Sequence, residues 1–169
     1  MITKALVILL ASFTVSISFA GEVVSCESDI CIFNLHGYEL PPHIERAIVF
    51  GVSRILDTYK DTFGFSYPDD FKVTVTIFVD KNEFLKYQEE QIGSIISEWG
   101  YASYKDNEAV VLNEKNTKKT EDAKEMVASV FHETNHLILG YNIPCCPSWV
   151  NEGLSEYFER FLLSLLKIG

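Results

Sequence analysis

Residues 123–140 read Ala-Lys-Glu-Met-Val-Ala-Ser-Val-Phe-His-Glu-Thr-Asn-His-Leu-Ile-Leu-Gly. Ala123, Met126, Val127, Val130, Phe131, Leu137 and Ile138 recur at helical spacing, so the stretch predicts a largely buried helix. It would start at Thr120 or the acidic pair Glu121-Asp122 and stop at Gly140. His132 and His136 stand at i and i+4, which puts both imidazoles on one face a single turn apart. Two imidazoles at that spacing can hold one zinc ion. Glu133 projects beside them, where its carboxylate can take a proton from a water held at the site. The apolar stripes on the adjoining faces would turn the histidines into a cleft rather than into open water.

Downstream, Pro144 and Pro147 bracket a loop, and Ser148 is placed to cap a last helix from Trp149 to about Leu166. That helix opens Trp149-Val150-Asn151-Glu152-Gly153-Leu154-Ser155-Glu156-Tyr157. A catalytic zinc ion takes three protein ligands and keeps one position open, so a third ligand is needed nearby. The pairing of a His-Glu-x-x-His helix with a Trp-Val-Asn-Glu-Gly helix resembles the gluzincin metallopeptidases of the peptidase MA-like group. The aminopeptidase N family carries a similar Trp-Leu-Asn-Glu-Gly segment. The likeness implies a zinc site made of His132, His136 and Glu152, with Glu133 as general base. It also implies that Glu156, four residues on, bonds to His132 and orients it.

The same resemblance reaches upstream, to a sheet edge that pairs with the backbone of an extended peptide. Tyr101-Ala102-Ser103-Tyr104 would be that edge. Similarity at the level of motifs covers about residues 128–158, is only a pattern over 71–127, and is weak before that. There are departures. The spacing from His136 to Glu152 is shorter than in the aminopeptidase N family. The Gly-x-Met-Glu-Asn segment that binds a free amino terminus there is missing, which argues against an aminopeptidase. Gluzincins usually continue into a C-terminal subdomain supplying a Tyr or His to the oxyanion, and here that part is short. Tyr101, Tyr104, Tyr141 and Tyr157 are the candidates to replace it.

The remaining elements are read from their patterns. Residues 30–35 form a short strand. Pro41-Pro42 opens a helix whose face is Ile44, Ile48, Val52, Ile55, Leu56 and Tyr59, ended by Gly64. Residues 71–79, rich in β-branched side chains, form a strand. Asp80 caps a helix through Gln91, with Phe84 and Tyr87 inward. The stretches 97–104 and 109–113 flank the turn cluster Lys105-Asp106-Asn107 and read as a β-hairpin. The sum is an α+β fold: a zincin-like small mixed sheet with an edge hairpin and its helices on one side, then the His-Glu-x-x-His helix and a second metal-ligand helix.

The chain has 169 residues, 47% of them hydrophobic, and a formal net charge of −10. That length suits one domain, and that charge argues against nucleic acid or an anionic membrane as partner. Residues 1–20 read as a signal peptide: Lys4, an uncharged apolar run from Ala5 to Phe19, then Ser18 and Ala20 as the small residues of a cleavage site. The remainder, 21–169, would be a single exported domain, secreted or periplasmic, with no integral membrane segment after cleavage. Cys26, Cys31, Cys145 and Cys146 are an even set in an exported chain, which predicts disulfides. A bond between the adjacent pair is strained, so the favoured pairing ties the N-terminal segment to the 145–146 loop. Cys145 or Cys146 as a metal thiolate is the competing use.

Together these readings point to zinc-dependent hydrolysis of peptide or protein substrates. A zinc-binding pseudo-peptidase acting as a binding domain is the alternative, and a disulfide-stabilised exported domain without metal is the third.

Overall fold

The computed structural model describes residues 23–115 and 123–166. The expected signal peptide and the expected helix start at 120–122 lie outside them. The chain forms strand β1 (Val23–Glu27), strand β2 (Cys31–His36), helix α1 (Pro42–Phe63), strand β3 (Val73–Phe78) and helix α2 (Lys81–Ile92). Strands β4 (Gly100–Ser103) and β5 (Glu108–Leu112) follow, then helices α3 (Lys124–Asn142) and α4 (Ser148–Leu165). This is an α+β arrangement around one five-stranded mixed sheet of order β1-β2-β3-β5-β4.

Local chemistry explains the well-formed elements. Pro42 sits in the first turn of α1, where its missing N–H costs nothing. Gly64 closes the same helix in the left-handed conformation at φ 69°, its N–H donating to the Lys60 carbonyl. Asp80 accepts the Glu83 N–H and caps α2. Because β2 and β3 run parallel, the chain must cross over between them, and α1 is that crossover. β4 and β5 run antiparallel and are joined by a tight turn in which Asn107 takes a positive φ of 50°. Asparagine tolerates that conformation better than most residues.

Helices cover both faces of the sheet, a correction to the one-sided expectation. Val73, Val75, Ile77, Ala109 and Val111 point to α1, α3 and α4 and join the main core. The alternate positions Phe78, Val110 and Leu112 face the other way and pack with Phe84 of α2 and with Tyr101. The period of two in β3 and β5 thus feeds two cores.

Other expectations need revision. β1, which the sequence pattern did not announce, pairs antiparallel with β2 along its length. Helix α3 runs straight through Gly140 to Asn142. Gly140 is there for proximity rather than for termination: a Cβ on it would stand 2.5 Å from Tyr104 Cε1. Ser148 is the first residue of α4, Pro147 holds the cap position, and no side chain caps that end. The anticipated disulfides are not formed, and all four thiols are free. Cys31 points into the main core as a small apolar residue, where burial pushes its thiol up to about 12, whereas Cys145 is exposed on the loop after α3. Among the described residues, no helix is long and apolar enough to cross a membrane.

Helix α3 meets α1 at Gly51, whose missing side chain is filled by the Phe131 ring: a Cβ there would lie 2.2 Å from Phe131 Cε1. Phe131 is fully buried and has no room to retreat. Gly51→Ala gains about 1 kcal/mol of helix propensity, yet overpacking typically costs about 1–3 kcal/mol. A net loss of stability is expected in urea denaturation, partly recovered by adding Phe131→Leu. A Gly51→Ala protein more stable than wild type would contradict this helix contact.

Candidate metal centre

Helix α3 is packed almost all round: Met126, Val127, Val130, Phe131, Leu137, Ile138 and Leu139 are buried along it. The His132 and His136 rings leave on the one face that the sheet and α1 do not cover, with centroids 4.9 Å apart and planes at 79°. Helix α4 folds back after the 143–147 loop and lays its second turn against that face. Glu152 then reaches both rings: Oε2 lies 3.3 Å from His132 Nε2 and Oε1 lies 3.6 Å from His136 Nε2.

One atom from each of the three residues can be chosen so that all lie within 4.8 Å of one another. Four ligands placed tetrahedrally at zinc–nitrogen and zinc–oxygen distances stand about 3.3 Å apart. The two histidine–Glu152 contacts are close to that separation and the full spread is wider, so the three residues could hold a metal ion such as zinc, with Glu152, 54% exposed, on the open side. Burial, with the neighbouring His132, pulls the His136 pKa down against the pull of Asn151 and Glu152. That favours the neutral ring a metal needs. Neither Cys145 nor Cys146 belongs to this group.

Glu133 stands apart from the three ligands, against the first residue of β4: a Cβ on Gly100 would be 3.3 Å from its Oε1. Burial, reinforced by the Glu152 carboxylate, pushes its carboxyl up to about 8. A cation held by the three neighbouring residues would oppose that shift and favour the carboxylate, the form that can accept a proton. A cleft of about 340 Å³ opens here, lined by Trp99, Gly100, Ser129, His132, Glu133 and Glu159 among others. It adjoins a second cavity of about 430 Å³ through Trp99, Glu125 and Ser129.

Glu156, expected beside His132, makes no ion pair with it among the described residues. Glu156 turns to solvent and pairs with Arg160 at 3.3 Å. Instead, Glu159 Oε2 lies 3.4 Å from His132 Nδ1. The reason is helical phase. Glu152, Ser155 and Glu159, at i, i+3 and i+7, share the face turned to α3, whereas Glu156 falls on its outer flank. Ser155 serves the other ring, its Oγ 3.3 Å from His136 Nδ1. Sequence reading missed both, although the i+7 spacing of Glu159 from Glu152 was a usable signal.

The four residues of the expected edge separate by role. β4 is a terminal strand of the sheet. Leu112 N–H donates to the Trp99 carbonyl at 2.9 Å, which sets the phase of the ladder. Tyr101 and Ser103 then bond to β5, while the backbone of Gly100 and Ala102 turns to the open edge. Gly100 N–H meets Ser97 Oγ at 3.2 Å. The Tyr101 side chain is buried on the α2 side, away from the metal ligands. Tyr104 lies beyond the strand, in the turn, with its hydroxyl accepting from Asn151 Nδ2 at 3.4 Å. Tyr141 packs with Tyr67 and Phe71, and Tyr157 stacks on Phe161. Of the four candidate tyrosines, only Tyr104 is tied to the ligand cluster, through the residue beside Glu152.

No protein-family model matches the chain, and no curated protein matches it.

The phase argument makes a discriminating prediction. Glu159→Gln weakens a carboxylate–histidine contact and should lower zinc affinity roughly 10–100-fold. Glu156→Gln should leave it unchanged. Competition titration against a chromophoric chelator measures both, and the reverse ranking would mean that Glu156 orients His132 after all.

Proposed function

We propose that this protein is a zinc-dependent peptide hydrolase of the gluzincin type, built on a zincin-like fold and working in an exported compartment. The observation that carries the reading is the convergence of His132, His136 and Glu152 next to Glu133, at the open edge of β4. When bound, zinc supplies a Lewis acid that polarises a carbonyl and makes water nucleophilic near neutral pH.

The chain's own residues supply the rest. His132, His136 and Glu152 hold the ion. Glu133 accepts a proton from the attacking water and passes it to the leaving amine. The outward carbonyl of Gly100 and the outward N–H and carbonyl of Ala102 offer an extended peptide hydrogen bonds as a sixth strand. The Tyr104 hydroxyl is the candidate donor to the developing oxyanion. The formal charge of −10 supports a protein or peptide substrate over a nucleic acid.

Mature protein purified without chelator should carry about one zinc ion, and His132→Ala or Glu152→Ala should lose most of it. Glu133→Gln keeps the size of the side chain and should retain zinc, while turnover of a generic protein substrate falls about 10²–10⁴-fold. Tyr104→Phe should also retain zinc, with kcat reduced by roughly 10²-fold. Full activity in Glu133→Gln would sink the hydrolase mechanism. Zinc without turnover in the wild type would favour a pseudo-peptidase that binds its target.

A further inference from the structure

A chain of buried polar groups runs behind His136, on the side away from the cleft. Tyr59 near the end of α1, Asn135 of α3 and Ser155 of α4 are each no more than 1% exposed. The Tyr59 hydroxyl donates to Asn135 Oδ1 at 2.8 Å, and Asn135 Nδ2 donates to Ser155 Oγ at 2.9 Å. Ser155 Oγ in turn lies 3.3 Å from His136 Nδ1. Three helices meet here, and apolar side chains could fill the space at little or no cost in stability. Burying polar groups instead requires every one of them to be satisfied.

The order of donors is set by the phenol. Tyr59 has one proton, and Asn135 Oδ1 takes it. Turning the amide round would take that acceptor away from the phenol. The amide N–H groups therefore face Ser155. The serine oxygen accepts one bond from Asn135 and lies 3.3 Å from His136 Nδ1, so it can accept from that nitrogen when the ring carries its proton there. A proton held on Nδ1 leaves Nε2 bare, and Nε2 is the atom that faces Glu152.

We propose that Tyr59, Asn135 and Ser155 form a positioning device for His136, which fixes the ring with Nε2 presented to the metal and offers Nδ1–H, in the metal-bound ring, the Ser155 oxygen as acceptor. The proposal rests on the metal-site reading above. It gives α1, which contributes no ligand, a part in the site: Tyr59 is 76 residues from Asn135 in sequence and one hydrogen bond from it in space. The three residues act through His136 and touch no substrate.

The test uses zinc-loaded full-length protein and a readout independent of activity. In ¹H–¹⁵N NMR tuned to imidazoles, the His136 Nδ1–H should exchange slowly with water. Ser155→Ala removes a single oxygen. It should speed that exchange until the signal is lost, and should lower zinc affinity about 10–100-fold. Tyr59→Phe keeps the ring that stacks on Phe65 at 5.3 Å. It should shift the Nδ1–H signal and cost a smaller, several-fold loss of affinity. Circular dichroism checks that both variants fold. Unchanged exchange and unchanged affinity in Ser155→Ala would reduce the chain to core packing and overturn the proposal. Zinc ligation through His136 Nδ1 in the wild type would also overturn it, with the metal site intact. A wild type with no zinc affinity would instead bring down the metal-site reading, and this proposal with it.

Discussion

The packing of α4 against α3 is the contact on which the rest depends. Helix α3 must serve the sheet, α1 and α4 at once, and it does so by giving each a different face. Val127, Val130, Phe131 and Ile138 join the main core together with the sheet and α1. His132 and His136 take the sector left over. Without α4 those rings would stand in water as two ordinary surface histidines. With Phe158 and Leu162 of α4 buried in the same core, the second turn of α4 is held where Glu152 must meet both rings. Apolar burial positions the ligands, and the polar contacts refine the geometry that burial has set.

That arrangement gathers charge in a way an ordinary fold avoids. Glu133, Glu152 and Glu159 surround two imidazoles, and the nearness of Glu152 adds to burial in raising the Glu133 carboxyl to about 8. Carboxylates forced together disfavour their charged forms, whereas a cation between them reverses the sign of the local field. Residues shifted by desolvation together with a charged neighbour in a cleft mark functional sites more often than structural ones. Lys115 bridges Glu125 at 2.7 Å on the rim of the adjoining cavity; among the described residues, the ion pairs within the cluster itself join only glutamates and histidines.

Much of this was legible in the sequence because the relevant signals are local. The helical spacing of His132 and His136, the apolar run of β3, the Pro42 start and Gly64 stop of α1 and the Asp80 cap each need only a few neighbouring residues. Apart from the misplaced Ser148 cap, a one-residue slip at a helix start, the failures involve partners distant in the chain. Gly140 has the outward form of a helix stop, but its use depends on the ring of Tyr104. Glu156 and Glu159 are equally plausible partners for His132 until the roll of α4 about its axis is known. β1 is too short and too exposed to declare itself before β2 is there to pair with it. The alternation in β3 gave the strand, yet it could not tell that Phe78 and Thr76 face a second layer, because that layer is supplied by α2.

The second layer has its own bearing on the site. On the α2 side of the sheet the Glu108 carboxylate is 4% exposed. It accepts from the Thr76 hydroxyl and from the Tyr87 hydroxyl at 3.1 Å. Glu108 is paired in register with Ser103, the last residue of β4. A polar network buried here ties β3, β5 and α2 together at the end of the hairpin. The register of β4 on β5 is fixed by Tyr101 in the same layer, since a shift of one residue would drive that buried ring to the face of α3 and turn Ala102 away from it. The register that keeps Gly100 beside Glu133 is thus held from the opposite face of the sheet. At that position a Cβ would stand 3.2 Å from the Val110 carbonyl and 3.3 Å from Glu133 Oε1, so glycine is the residue that leaves the carboxylate its place without displacing either neighbour.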